Sequence, residues 1–600
     1  HQMKYLLSIL SIAIVSISAV AQVIPEDRRV DWSVILDNME ITQPDMQVDV
    51  MDYGATGNGI TDDRQAVINA ISGLGGEHGY VYFPPGRYLI KGPIDLPDSC
   101  VLKGDGSGNT TLLFDLEGEA TNCISISKAQ AQDFTNITGG LNKGNNLITI
   151  EDPGLFTPGD YIEIRQENGS WDVVPISWAD YSVGQLTRVS SIVDNNLLIE
   201  SGLRIDYSAE LNPEVRPVVP ISNSGIQCLK IQRLDEPVEG SGANIYMYMA
   251  ANCFVRGVES DTSVGAHVSV YSSLNILIDG NYFHHAFTFD GTGMRGYGVA
   301  LSMHTSECLI TNNIFRYLRH AMMIKTGSNG NIFSYNYSIE PHRSEPIPDA
   351  SGDISFHGHY PFSNLWEGNI AQNIVIDHYW GPSGPYNTLF RNRAELWGII
   401  MTNSTLKETD KQNFVGSETT STELLHGLYV LTGTDQLEYG NNILGNILPP
   451  GTTDLPDNSY YLDEAPDFWG EFMEWPSVGI PVELGTGNIP ARMRYESGQN
   501  YTICPDSIIT DIDEPANTLS DLRIWPNPAT SYLNISVPGS NSTISISLYN
   551  LLGKTEYSWI IKNNFNEPIT IPLDHVRRGI YLVTFVDDKT TITRKLIVTK

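Results

Sequence analysis

The chain has 600 residues, with 70 Asp and Glu against 36 Lys and Arg, for a net charge of −34. Acidity on that scale repels nucleic acid and anionic membrane surfaces, which excludes both as default partners. Hydrophobic residues make up 41% and charged ones only 18%, so the apolar surface suffices for a large core and bulk disorder is excluded too.

Residues 1–21 read as a secretory signal peptide: Lys4 precedes an apolar run from Leu6 to Val20, and Ala19-Val20-Ala21 makes a small-x-small cleavage site. No later stretch approaches membrane length, so the mature form is expected to have no span. Between Asp49 and Asp63 runs a Gly-rich acidic segment, followed by an amphipathic helix over 65–71, then Gly79–Tyr88 and Leu102–Gly106. From about 130 to 220, alternating stretches such as Leu147–Ile150 and Asp160–Ile164 predict a β-rich insertion, and its Trp171, Trp178 and Tyr181 either flank a groove or fill its core.

A repeat follows. A short apolar strand ending in Asn recurs at Cys308–Asn313, Asn331–Asn336, Asn364–Asn369 and Asn387–Asn392, with weaker copies at Ile276–Asn281 and Asn441–Asn446. Three short strands and three turns fill each interval, and an Asn amide can bond to the Asn one coil away, fixing a turn at the same place in every coil. The fold class expected is all-β, a right-handed parallel β-helix with a small C-terminal β-sandwich domain. Phe468, Trp469 and Trp475 fall in a loop-rich stretch, about 450–500, expected to cover the far end of the solenoid. Residues 505–520 read as a linker, and 521–600 as a separate short-strand module. The six cysteines do not make a disulfide scaffold or a metal spacing. Cys228, Cys253 and Cys308 are expected to be buried thiols, with a bridge between neighbours left open.

The succession from Asp49 to Gly106 resembles the N-terminal signature of the pectate-lyase superfamily, which includes the glycoside hydrolase family 28-like proteins. The resemblance, over about 45–500, implies a pectin-lyase-like catalytic domain at 22–504 with an N-terminal cap at about 45–75. Trp525-Pro-Asn-Pro-Ala529, Gly579–Val583 and the basic end Lys595–Lys600 resemble the C-terminal sorting domain of type IX secretion cargo. That implies export to the cell surface or beyond, with the type IX machinery as a partner.

Nine of the thirteen histidines fall between 267 and 378. Alternation along Val299–His304, Met322–Lys325 and Asp353–His359 points Ser302, His304, Lys325, Asp353, Ser355, His357 and His359 outward. His304, Lys325 and His357 or His359 are thus expected as one exposed column on successive coils. Loops on that side bring Asp290, Arg343, Glu345, Asp377, Tyr379, Trp380, Arg391, Arg393 and Trp397. Aromatics stack on sugar faces and Arg pairs with carboxylate or sulfate, so an acidic polysaccharide is the expected substrate.

Two chemistries fit. Hydrolysis needs paired carboxyls, for which Asp290, Glu340, Glu345, Asp349, Asp353, Glu367 and Asp377 offer several pairs, with Asp290, Glu345, Asp353 and Asp377 put forward, and it is the reading the sequence favours. β-Elimination of a uronate needs a base such as Lys325 or His357 and neutralisation of the sugar carboxylate. His304, His359, Arg343, Arg391, Arg393, Trp380, Trp397 and Tyr379 are assigned to substrate binding. Hydrolysis requires no cofactor and no metal ligands are assigned, while elimination leaves a place for Ca2+. Compared with the resembled families, the Asn-Thr-Asp and Asp-Asp pairs of polygalacturonases and the acidic cluster of calcium-dependent pectate lyases are missing. This points to other acidic polymers, sulfated fucans included. A noncatalytic carbohydrate-binding protein is the remaining alternative, and a monomer is expected.

Overall fold

The computed structural model describes residues 23–130, 132–290, 293–342, 352–402, 409–470 and 473–505, with shorter stretches between 523 and 599. The signal peptide, the linker beyond residue 505, Arg343, Glu345 and Asp349 lie outside the described residues. The chain divides into two units, 1–505 and 506–600.

The first unit is a right-handed parallel β-helix. One of its sheets has 12 parallel strands, from Met46–Asp49 to Leu437–Tyr439. A second, of 21 strands, wraps the remaining faces and bends within Ile370–Ile376 and Arg393–Met401, each of which pairs on two ladders. Alternation sends one residue per strand inward, and the coils stack like on like. Val255, Ile278, Ile310, Phe333, Trp366, Leu389 and Phe414 form one continuous buried column. The Phe333 and Trp366 rings within it stack at 4.0 Å.

Asparagine amides hold the corners. Asn281, Asn313, Asn336, Asn369 and Asn392 form a ladder in which each Nδ2 donates to the next Oδ1 at 2.8–3.0 Å. A second ladder, Asn331, Asn364, Asn387 and Gln412, flanks the other end of the same strands. The left-handed backbone falls on the residue before each ladder position, as at Asn312, Tyr335 and Arg391, rather than on the ladder Asn itself. The amides therefore serve as buried hydrogen-bonding inserts.

Asn336 illustrates the energetics. Its Oδ1 accepts from both the backbone and side-chain nitrogens of Asn313, and its Nδ2 donates to the Ile310 carbonyl and to Asn369. Asn336→Ala would leave a buried N–H and a buried carbonyl without partners, at about 1–3 kcal/mol each. We expect a destabilisation of about 3 kcal/mol in denaturant titration, against less than about 0.5 kcal/mol for a control at exposed Asn109.

Helix Arg64–Gly73 lays Ala66, Val67 and Ala70 over the first coils. Asp63, just before it, accepts from the backbone of Thr56 and Gly57, pinning the acidic loop to the helix start. Six strands between Thr135 and Val218 close into an antiparallel barrel inserted in the solenoid.

The end-covering role expected of 450–500 is corrected. Phe468, Trp469 and Trp475 all meet Tyr335, in mid-solenoid. The segment lies along the outside: Asp457 and Val478 both meet Arg391, Tyr460 meets Glu367, and the last stretch meets Asn312 through Arg494 and Gly280 through Ile503. It ends in a Cys228–Cys504 disulfide, so Cys228 is not a free thiol, whereas Cys253 and Cys308 are. Residues 23–45 run the same way, from Asp435 past Ser363 to Asn252. Both straps cover outward Leu309, Ile332, Leu365, Ile314 and Ile370, which form a second core with Trp32, Trp469 and Ile480. These strands are apolar on both faces, so their outer face needs cover.

The second unit has a three-stranded and a four-stranded antiparallel sheet. Leu533, Ile535 and Ile571 of one sheet share a core with Ile546, Leu548, Val583, Phe585 and Leu596 of the other.

Candidate active site

Strands His320–Ile324, Ile354–Phe356 and Ile370–Ile376 stack in register, with Ile324, Phe356 and Ile376 at matching positions. The residue after each is therefore brought to one place: Lys325, His357 and Asp377. Val299, Leu301, Met322, Ile324, Ile354 and Phe356 all point into the core, as alternation demands.

The column departs from the expected one at its ends. Strand Tyr297–Ser302 stops at Ser302, and Met303 and His304 both turn left-handed, so alternation no longer governs His304. His304 is 1% exposed, with Nδ1 2.8 Å from Glu163 Oε1 and Nε2 2.6 Å from the Tyr181 carbonyl, both in the inserted barrel. Burial resists ionisation of Glu163, but His304 and Arg216 together outweigh it and hold the carboxyl at about 2. Asn329 donates to the Gly184 carbonyl at 2.7 Å and Arg204 pairs with Glu307 in the same seam. Gly184 and Gly327 permit the close approach: a Cβ on Gly184 would lie 2.5 Å from His304 Nε2, and one on Gly327 1.5 Å from the Ser182 carbonyl. His304 is a seam residue between barrel and solenoid.

His359 is corrected likewise. It too takes a left-handed backbone, is fully buried, and is held by the Val174 carbonyl at 3.2 Å and Asp172 at 3.7 Å. Burial, with Lys325 and His357 nearby, lowers its pKa. Asp353 is not outward: it is buried against Ser338 Oγ at 2.6 Å and the Asn373 amide at 2.8 Å, and burial raises its pKa to about 6. Arg391 and Arg393 lie under the C-terminal strap, where Arg391 donates to the Val478, Ile480 and Asp457 carbonyls and Arg393 pairs with Glu418. Trp397 is half-buried on Arg393–Met401, and Asp290 is exposed in the loop before Tyr297.

What remains is a compact set. His357 Nδ1 and Asp377 Oδ2 are 2.6 Å apart, each side chain 17% exposed. Trp380 Nε1 donates to His357 Nε2 at 3.2 Å. With Nδ1–H donating to Asp377 and Nε2 accepting from Trp380, His357 presents its Nε2 lone pair away from the carboxylate. Lys325 Nζ lies 5.2 Å from the Trp178 ring, and Trp178 meets Trp380 edge-on at 5.4 Å. Desolvation lowers the Lys325 pKa. Trp178 and Tyr379 are 40% and 73% exposed, enough to meet a ligand. Trp171, by contrast, is core, its ring tilted against that of Tyr360 at 4.6 Å. Thus the barrel loop that carries Trp178 and the loop after Asp377 that carries Tyr379 and Trp380 flank Lys325, His357 and Asp377, the face called the groove below. Sequence reasoning missed Asp172 and the His320 ring, 5.5 Å from that of His357.

Residues 47–150 match the family described as rhamnogalacturonase A/epimerase, pectate lyase-like, and residues 523–599 match the secretion system C-terminal sorting domain. The plasmin and fibronectin-binding protein A of Streptococcus pneumoniae is 57% identical over 272 residues, 40% of this chain and 36% of that protein. The mannuronan C5-epimerase AlgE6 of Azotobacter vinelandii is 35% identical over 119 residues, 18% of this chain and 13% of that one. This chain therefore spans little more than a third of the first relative and about an eighth of the second. Among solved structures, the tailspike gp61 of Pseudomonas phage phi297 superposes with a TM-score of 0.48 at 14% identity, covering 64% of this chain and 66% of that one. Among the described residues no helix is long and apolar enough to cross a membrane. The sorting domain marks the chain for type IX secretion to the cell surface or the extracellular space. The chain thus carries a pectate-lyase-like match over residues 47–150 of its parallel β-helix and a secretion-system sorting-domain match over residues 523–599.

Proposed function

We propose that the groove binds an acidic, uronate-containing polysaccharide and removes the proton α to the uronate carboxylate, cleaving the chain by β-elimination. The observation that carries this reading is the His357–Asp377 pair, which leaves an imidazole lone pair beside a desolvated ammonium. His357 Nε2 takes the proton from C5, and Lys325 pairs with the carboxylate as charge builds on it. The C5–H electrons form the C4–C5 double bond, the C4–O bond breaks, and the leaving oxygen takes a proton from water. Trp178, Trp380 and Tyr379 stack on the sugars. Trp380 must release its hydrogen bond to His357 as the substrate seats.

Hydrolysis, the chemistry the sequence favours, has less support in the geometry. Asp377 is engaged by His357, and the carboxyls that burial raises most clearly, Asp353 at about 6 and Glu367 at about 7, are tied into Ser338 and Asn373 or into Tyr335 and Tyr460. The relatives named for epimerisation act on mannuronan, also a uronate polymer.

The test is incubation of the protein with pectic, alginate, ulvan and sulfated-fucan polymers, following reducing ends and the ultraviolet absorbance of unsaturated uronates together. Both are expected to rise on a uronate polymer. Reducing ends without absorbance would replace elimination by hydrolysis, and saturable binding with neither signal would leave a carbohydrate-binding protein.

A further inference from the structure

A second histidine cluster lies on a neighbouring ladder, apart from the groove. Strands Glu259–Ser263 and Tyr282–Ala286 pair in parallel, which places Asp261 directly beside His284. Adjacent residues of a flat strand point to opposite faces. Here His285 takes a left-handed backbone, φ 62°, at a corner of the coil, and its ring swings to the side of His284. The two Nδ1 atoms are 2.7 Å apart, and Asp261 Oδ1 is 3.6 Å from that of His284. One ligand atom from each of Asp261, His284 and His285 falls within 4.8 Å of the others.

We propose that Asp261, His284 and His285 bind a divalent first-row transition cation of the Zn2+ type. Two imidazoles and one carboxylate suit such a cation better than the all-oxygen set Ca2+ prefers. Tetrahedral ligands at about 2.0–2.1 Å lie about 3.3 Å apart, so the His284–His285 spacing would open by about 0.6 Å and the His284–Asp261 spacing close by about 0.3 Å, with the third pair closing from within 4.8 Å.

The surroundings are those of a metal ligand set. His284 Nε2 lies 3.3 Å from Glu259 Oε1, and donation there leaves the Nδ1 lone pair aimed at the cluster, the carboxylate–histidine arrangement that orients metal-bound imidazoles. Lys230 holds Glu259 at 2.7 Å and the other Asp261 oxygen at 2.8 Å, while Oδ1, the oxygen on the His284 side, accepts from Thr262 Oγ1 at 2.9 Å and keeps a second lone pair for a cation. The backbone of His285 is anchored by His267, whose Nε2 meets its carbonyl at 3.0 Å and whose Nδ1 meets Ser260 Oγ at 2.8 Å. On binding, the His285 Nδ1 proton moves to Nε2. The partly exposed Asp261 and His285 leave the fourth position to water. The alternative occupant of the cluster is that proton alone, shared between two hydrogen-bonded imidazoles.

The full chain, stripped with a chelator and titrated with Zn2+ in a calorimeter, is expected to bind one tight equivalent. Asp261→Asn keeps the side-chain shape, and His285→Asn keeps a residue that tolerates the left-handed backbone. Each should weaken binding at least about 100-fold while leaving the chelator-treated thermal midpoint unchanged, and Glu259→Gln should weaken it about 10- to 100-fold. His357→Ala should leave it intact, which separates this site from the groove. No tight equivalent in the full chain, or one that survives in both asparagine variants, would overturn the assignment.

Discussion

Replacing His357 with alanine is expected to lower turnover on the responsive polymer at least about 100-fold, the scale on which general bases act, with little change in KM. The imidazole touches the reacting C5–H bond only as the proton leaves, whereas Trp178 and Tyr379 meet the sugar throughout. Trp178→Ala should therefore raise KM more than it lowers kcat. Asp377→Asn keeps the side chain but loses the carboxylate that holds the Nδ1 proton, so it should fall between wild type and His357→Ala. Lys325 gives the reading a sign. Desolvation lowers its pKa, and it must be charged to pair with a carboxylate, so activity is expected to fall with rising pH below the ordinary lysine range. Lys325→Arg, charged throughout, should move that limb upward while keeping partial activity. If wild-type activity instead rose through the same range, neutral Lys325 would be the base and His357 its partner. Full activity in His357→Ala would remove the pair from the mechanism.

The solenoid was legible because its rule is local and repeated. Asn at each end of a three-residue apolar strand recurs at the coil interval, and the ladders from Asn281 to Asn392 and from Asn331 to Gln412 follow directly. The inward residues around the groove were legible for the same reason, since alternation holds wherever the backbone stays extended. It fails at corners. His304, His359 and His285 all have positive φ, and no neighbour in sequence announces it. Two of them turned out to be covered by the barrel or buried, and the third turned toward its neighbour.

Long-range cover was the other illegible element. Nothing in Arg391 or Arg393 distinguishes a groove cation from one capped by carbonyls, because the caps come from residues 455–487, far along the chain. Trp171 and Trp178 differ by seven positions on one loop, yet one packs on Tyr360 and the other flanks Lys325. Composition could name both but not separate them. The His284-His285 pair was visible as a dipeptide; its carboxylate partners Asp261 and Glu259 come from the preceding coil and appear only once the register is known.

Deleting residues 521–600 is expected to abolish delivery to the cell surface and medium while leaving the groove's activity and thermal midpoint intact. The two units have separate hydrophobic cores, one built on the coil interior and one on two small antiparallel sheets. Because each unit has a core of its own, the first is expected to keep its stability without the second. The position of the cut matters because the C-terminal strap belongs to the solenoid. Cys504 closes onto Cys228, and Ile503 donates its amide to the Gly280 carbonyl at 2.8 Å. Truncation before residue 490 would free the strap, uncover outward Leu309, Ile314 and Ile332, and cost stability through lost apolar burial and a lost long-range cross-link. Cell fractionation measures the first effect, and melting of both purified truncations measures the second. Continued export of the 521–600 deletion would assign sorting to another segment, and equal melting of the two truncations would remove the strap from the solenoid's stability.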